Sequence, residues 1–198
     1  MQPIFHELAK LYESIEGTYD TVGRLLDFTC EDCPDNCCDS YFTHHTYLEW
    51  AYLWEGFRQL PEEKRNLCLR KAAEYVKLSE EALAQERRPV VMCPLNEKGR
   101  CSLYAHRLLI CRMHGVPASF TLPNGQKKSF PGCFRCQEVT AGRGELPSMD
   151  RTKFFRDMVR LEQEFLGHKR YLLPKMKMTI ADMLLKGEPT LCRDDRKN

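Results

Sequence analysis

The sequence predicts a mainly α fold: a helical bundle around an irregular, cysteine-rich centre with one small β-hairpin. Three observations predict it. Apolar residues recur at helical spacing over residues 3–28, 43–88 and 150–186. Nine of the eleven cysteines lie between those stretches, among turn-forming residues. One segment, SFTLPNGQKKSF (residues 119–130), has two short alternating arms about Pro-Asn-Gly. A length of 198 residues suits a single domain over 1–198, with a cysteine-cluster core at about 28–138 and helical flanks at 1–27 and 150–186.

The elements follow in order. Phe5, Leu8, Leu11, Tyr12, Ile15, Tyr19, Val22, Leu25 and Leu26 form one stripe, so the first helix is expected over roughly 3–28. It leads into CEDCPDNCC, where Pro34, Asp35 and Asn36 favour a turn. Thr46 and Glu49 stand at capping-box spacing before an apolar run through Phe57, which marks a second helix. Pro61 opens a third, which ends near Arg87-Arg88-Pro89. Val90 to Met92 read as a short extended segment, Asn96 to Arg100 as a surface turn, and Ser102 to Met113 as a short helix ended by Gly115. Phe154, Phe155, Met158, Leu161, Phe165 and Leu166 predict a helix within 150–171, and Thr179 caps a last short one.

Composition narrows the function classes. The chain is 42% hydrophobic and 29% charged with a net charge of +2, so no large field points to nucleic acid or an anionic membrane. No apolar run reaches the roughly 18 residues of a membrane span. The first residues, MQPIFHELAKLYESIEG, lack a basic n-region and an apolar h-region, and a cytoplasmic protein with reduced thiols is expected.

Eleven cysteines are many for such a protein. Four of them, Cys30, Cys33, Cys37 and Cys38, occupy nine positions. The others between the helical stretches are Cys93, Cys101, Cys111, Cys133 and Cys136, and all nine are candidate metal ligands. Soft thiolates suit zinc and iron–sulfur clusters, and the two sulfurs of a Cys-x-x-Cys turn can converge on one ion. Buried thiols and a disulfide network remain as alternatives. The adjacent pair Cys37-Cys38 does not reach one small site from extended backbone, so it serves two neighbouring metals, or one ligand and one open function. Nine cysteines furnish two tetrahedral zinc sites, or one cubane and one zinc. The spacing does not choose between them. Cys68 sits in an apolar helical pattern and reads as a small buried hydrophobe, and Cys192 lies in the tail.

A thiolate-rich centre is anionic, and Arg100, Arg107, Arg112 and Arg135 lie near the cysteines in sequence. Guanidinium groups there would offset charge and donate to sulfur. Of the histidines His44, His45, His106 and His114, the last follows Cys111 by three and is the first choice as a further contact. The candidate cofactor contacts are therefore Arg107, Arg112 and His114.

CPLNEKGRCSLYAHRLLICRMHG (residues 93–115) resembles the core of the YkgJ-like cysteine-cluster family, described as a zinc- or iron-chelating domain. Cys30, Cys33, Cys37 and Cys38 match that family's early cysteine run. Cys93, Pro94, Gly99, Cys101, Ser102, Leu103, Tyr104, Arg107, Cys111 and Arg112 match its later motif, with Leu108 in place of the usual proline. The resemblance implies metal binding through the seven matched cysteines, and Cys133-x-x-Cys136 could complete a second site. Relatives include flagellin lysine N-methylases associated with an iron–sulfur cluster. No Gly-rich strand-to-helix loop for S-adenosylmethionine is legible here, so methylation is kept only as an alternative and the sequence leaves open whether the chain is an enzyme.

The sequence thus leads to a metal-binding protein with one or two iron–sulfur or zinc centres and a redox or metal-dependent role. A [4Fe–4S] cluster is favoured because nearby arginines and aromatics suit a partly shielded cluster. The alternatives are a protein-modifying enzyme resembling the lysine N-methylases and a structural zinc interaction module. A protein partner is open, no membrane is expected, and nucleic acid is not expected.

Overall fold

The structure, a computed structural model, describes residues 3–30 and 37–191. It is mainly α, 54% helical and 9% strand, with seven helices and two small sheets among the described residues. In chain order the elements are α1 (Pro3–Leu25), α2 (Tyr47–Phe57), α3 (Glu62–Ala84), β1 (Asn96–Glu97), β2 (Arg100–Cys101), α4 (Leu109–Met113), β3 (Ala118–Thr121), β4 (Lys127–Phe130), α5 (Phe134–Val139), β5 (Met149–Asp150), α6 (Thr152–Leu166) and α7 (Ile180–Leu185). The chain groups into two compact units, each built from two segments. The first is Met1–Cys37 with Leu109–Leu161, and the second is Cys38–Leu108 with Glu162–Asn198.

In the first unit, α1 buries Phe5, Leu8, Leu11, Tyr12, Ile15 and Val22 of the predicted stripe, whereas Tyr19 is only partly buried and Leu25, at the helix end, is exposed. It packs on α4 and β5. Its end is closed by two reaching amides, Phe28 N to Gly23 O at 2.9 Å and Asp27 N to Arg24 O at 3.2 Å. Asp27 takes the left-handed conformation that this closure requires, with φ 53°. The buried Phe28 ring then fixes where the chain leaves for Cys30. The expected hairpin is present, with β3 and β4 antiparallel and Ala118 opposite Phe130. β3 is also the middle strand of a three-stranded sheet, because β5 pairs with it in parallel, Ala118 opposite Met149. A two-residue strand carries no alternation, so β5 is not visible in the sequence. Neither is α5, whose six residues are too few to show a helical period.

In the second unit, Thr46 caps α2 and accepts a hydrogen bond from Glu49 N. Pro61 stands just before α3, at its N-cap, rather than at its first helical position. The core joins Trp50, Leu53 and Phe57 of α2, Ala72 and Tyr75 of α3, Leu95, Leu103 and Leu108, and Met183 and Leu184 of α7. Both tryptophans anchor to the end of α7, with Trp50 Nε1 and Trp54 Nε1 donating to Met183 O at 3.1 and 3.0 Å. Thr179 forms the full capping box of α7 with Asp182.

Three local expectations change. Residues 96–101 form a tight antiparallel hairpin, with Lys98 and Gly99 both at positive φ, 51° and 86°, as its two-residue turn requires. Residues 102–113 are not one helix but a 3-10 turn at Tyr104–His106 followed by α4. The helix predicted within 150–171 is α6 followed by a 3-10 turn at Gly167–Tyr171. No described helix is long and apolar enough to cross a membrane.

Candidate metal centres

The division of the chain sorts the candidate ligands. Cys30, Cys33, Cys37, Cys111, Cys133 and Cys136 belong to the first unit, and Cys38, Cys93 and Cys101 to the second. The break between the units falls between the adjacent Cys37 and Cys38. Cys33 lies outside the described residues, and Cys37 is placed through its backbone alone, at the start of a 3-10 turn over Cys37–Asp39. The eight cysteines with described side chains are thiols rather than half-cystines.

In the first unit, Cys133 is the N-cap of α5, and its Sγ accepts from Cys136 N at 3.4 Å. The Cys-x-x-Cys spacing therefore closes one turn around a sulfur. Cys133 N donates to Gly115 O at 2.8 Å, which ties this turn to the loop after α4. Gly132 permits that approach, since a Cβ there would sit 2.8 Å from Gly115 O. From α1, the Tyr19 hydroxyl reaches within 3.2 Å of Cys30 Sγ. The same hydroxyl rests on Gly115, where a Cβ would meet it at 2.1 Å. Gly115 is thus the common neighbour of Tyr19 and Cys133. Burial pushes the Cys136 thiol up to about 11, with the negative charges of Cys133 and Cys30 adding to the rise and Arg143 opposing it.

A buried cation lies in the same unit. Arg151 is 5% exposed, its Nη2 donates to Met113 O, and its Nε has no hydrogen-bond partner among the described residues. Burial lowers this guanidinium to about 10, and Tyr19 acts in the opposite direction. Among the sequence candidates, Arg112 is buried, ion-paired to Glu16 and stacked 4.3 Å over Tyr12. His114 meets the Phe130 ring edge-on at 6.2 Å. Cys111 is half-buried on α4.

In the second unit, Cys93 N donates to Cys38 O at 2.8 Å, joining the end of the first cysteine run to the later motif. Asn96 N closes a turn onto Cys93 O at 2.9 Å, and the hairpin sets Cys101 opposite Asn96. Cys93 and Cys101 are both partly buried against the core. Burial drives the Tyr75 hydroxyl to about 12, and the charge of Cys93 contributes. Arg107 belongs to this unit and stacks 3.8 Å over the Tyr104 ring. His106 packs 4.7 Å from the Tyr52 ring, in space that a side chain at Gly56 would fill. Cys68 is buried in the core, as its helical setting predicts.

Among the described residues, no three histidine, cysteine or acidic side chains stand assembled as a metal group. What is assembled is a set of soft donors held in turns, with two members of the first run outside the described side chains. That donor chemistry fits zinc or an iron–sulfur cluster and does not fit a hard cation. Tyr19 is the residue that sequence reasoning passes over. It belongs to the α1 stripe, and no local signal tells a core-facing tyrosine from one that reaches a cysteine. Comparison with family models, with curated proteins and with solved structures finds no match.

Proposed function

We propose that this chain is a metal-binding protein with two thiolate centres, one in each unit, serving a redox or metal-dependent role. The observation that carries the reading is the division of the cysteines between the units at Cys37-Cys38. Adjacent residues that enter different units serve different centres, which accounts for a doublet that one small site cannot use. The resemblance of both cysteine runs to the YkgJ-like pattern supports the same conclusion.

The first unit has six candidate cysteines, Cys30, Cys33, Cys37, Cys111, Cys133 and Cys136, enough for the four thiolates of a cubane. The second has Cys38, Cys93 and Cys101, a three-thiolate set suited to zinc with its fourth position given to another donor. A bound cluster would supply one-electron chemistry, and a bound zinc would supply a structural crosslink or an open coordination position. The residues of this chain hold the donors at the ends and turns of short elements, with Tyr19 against Cys30 in the first unit and Arg143 opposing the negative charge there.

The test is anaerobic purification followed by metal and labile-sulfide analysis of the intact chain and of two double variants. The unsubstituted chain is expected to be brown, with about four irons, matching sulfide and about one zinc. Cys133→Ser with Cys136→Ser should remove the iron and leave the zinc. Cys93→Ser with Cys101→Ser should do the reverse. Loss of all metal from either variant would establish one shared centre. A colourless chain holding zinc alone would select the structural zinc module, and a chain that takes up no metal on reconstitution would end the reading.

A further inference from the structure

We infer that Tyr19 is a positioning residue for the first unit's thiolate centre, donating its hydroxyl hydrogen to Cys30 Sγ and so setting how strongly that sulfur binds its metal. The inference rests on the metal reading above and adds a residue outside both cysteine motifs.

Three observations converge on it. The hydroxyl stands 3.2 Å from Cys30 Sγ, within hydrogen-bond reach of a sulfur. Gly115 leaves it that place, since it has no side chain to push the hydroxyl away and its φ of +132° is a conformation that other residues rarely adopt. Gly115 O in turn accepts from Cys133 N at 2.8 Å, so the glycine that seats Tyr19 also anchors the Cys-x-x-Cys turn. A thiolate that accepts such a hydrogen bond keeps less charge to give a metal. Its orientation is also fixed, and fixed ligands bind more tightly. The hydrogen stays on oxygen throughout, so no proton or electron is transferred.

The experiment uses the full chain with the second unit's three donors removed (Cys38→Ser, Cys93→Ser, Cys101→Ser), titrated anaerobically with cobalt(II), whose thiolate charge-transfer band reports on the sulfurs. Tyr19→Phe keeps the ring and deletes only the hydroxyl. It is expected to retain the stoichiometry and the far-ultraviolet circular dichroism. It should weaken cobalt binding by about tenfold or more, because the loss of a fixed ligand orientation outweighs the gain in donor strength, and it should move the band to lower energy, because an unbonded thiolate is a better electron donor. A purely structural tyrosine would not move the band. Unchanged affinity and band position in Tyr19→Phe would overturn the role of Tyr19 while leaving the centre in place. Absence of cobalt binding by the chain with Tyr19 intact would overturn the centre itself, and this role with it.

Discussion

A histidine shut away from water couples stability to pH, and His44 is such a residue. It is 3% exposed, its Nε2 has no hydrogen-bond partner among the described residues, and burial lowers it from 6.5 to about 3, with His45 adding to the fall. The unfolded chain therefore binds a proton below about 6.5 that the folded chain refuses until about 3. Stability is full above 6.5 and is lost as pH falls between those values, by up to about 1.4 kcal/mol per pH unit. His44→Phe removes the orphaned nitrogen and the titration together, while the backbone bridge from His44 to Met178 remains. Urea midpoints measured from pH 7 to pH 4 should fall less steeply in His44→Phe than in the parent chain. Equal slopes would show that another group carries the acid limb. The sequence marked His44 only as one of a histidine pair. Its backbone pairs with Met178, far along the chain, so nothing local could reveal its setting.

At the scale of elements, the caps were legible and the remote supports were not. Thr46 and Thr179 could be read as caps because capping is local, a side-chain oxygen meeting an amide three residues on. The other half of the α2 N-terminus is held by Glu162 of α6, whose carboxylate accepts from Tyr47 N and Leu48 N at 2.9 and 2.8 Å. Burial raises this carboxyl above the usual range, and the two amides partly oppose that rise. Glu162→Ala leaves both amides without their acceptor and should cost about 1–2 kcal/mol, read as a lower chemical midpoint with an unchanged m-value. A change below a few tenths of a kcal/mol would mean that water replaces the carboxylate. The same contrast holds for the strands. The hairpin of β3 and β4 announces itself through Pro-Asn-Gly, whereas the parallel pairing of β5 with β3 joins residues about thirty apart.

At the scale of the whole molecule, the proposed metal centres predict a fold that depends on its metal. Metal held at a hundred times its Kd contributes about 2.7 kcal/mol, which for a chain of this length is about 5–10 °C in Tm. Stripping the loaded protein with a strong chelator under anaerobic conditions should lower Tm by that amount, followed by circular dichroism, and restoring the metal should recover it. An unchanged Tm would uncouple metal from folding. By itself the sequence determined the helical class, the positions of the long helices and the nine candidate thiols. These follow from a period of 3.6 residues, from caps and from residue chemistry, all of which act over a few positions. Only the tertiary structure decided how those thiols are shared. It placed the unit boundary inside the Cys37-Cys38 pair, seated Cys133 on Gly115, and brought Tyr19 of α1 to Cys30. Those relations arise where separate chain segments pack against one another, and such contacts leave no periodic trace in the segments that make them.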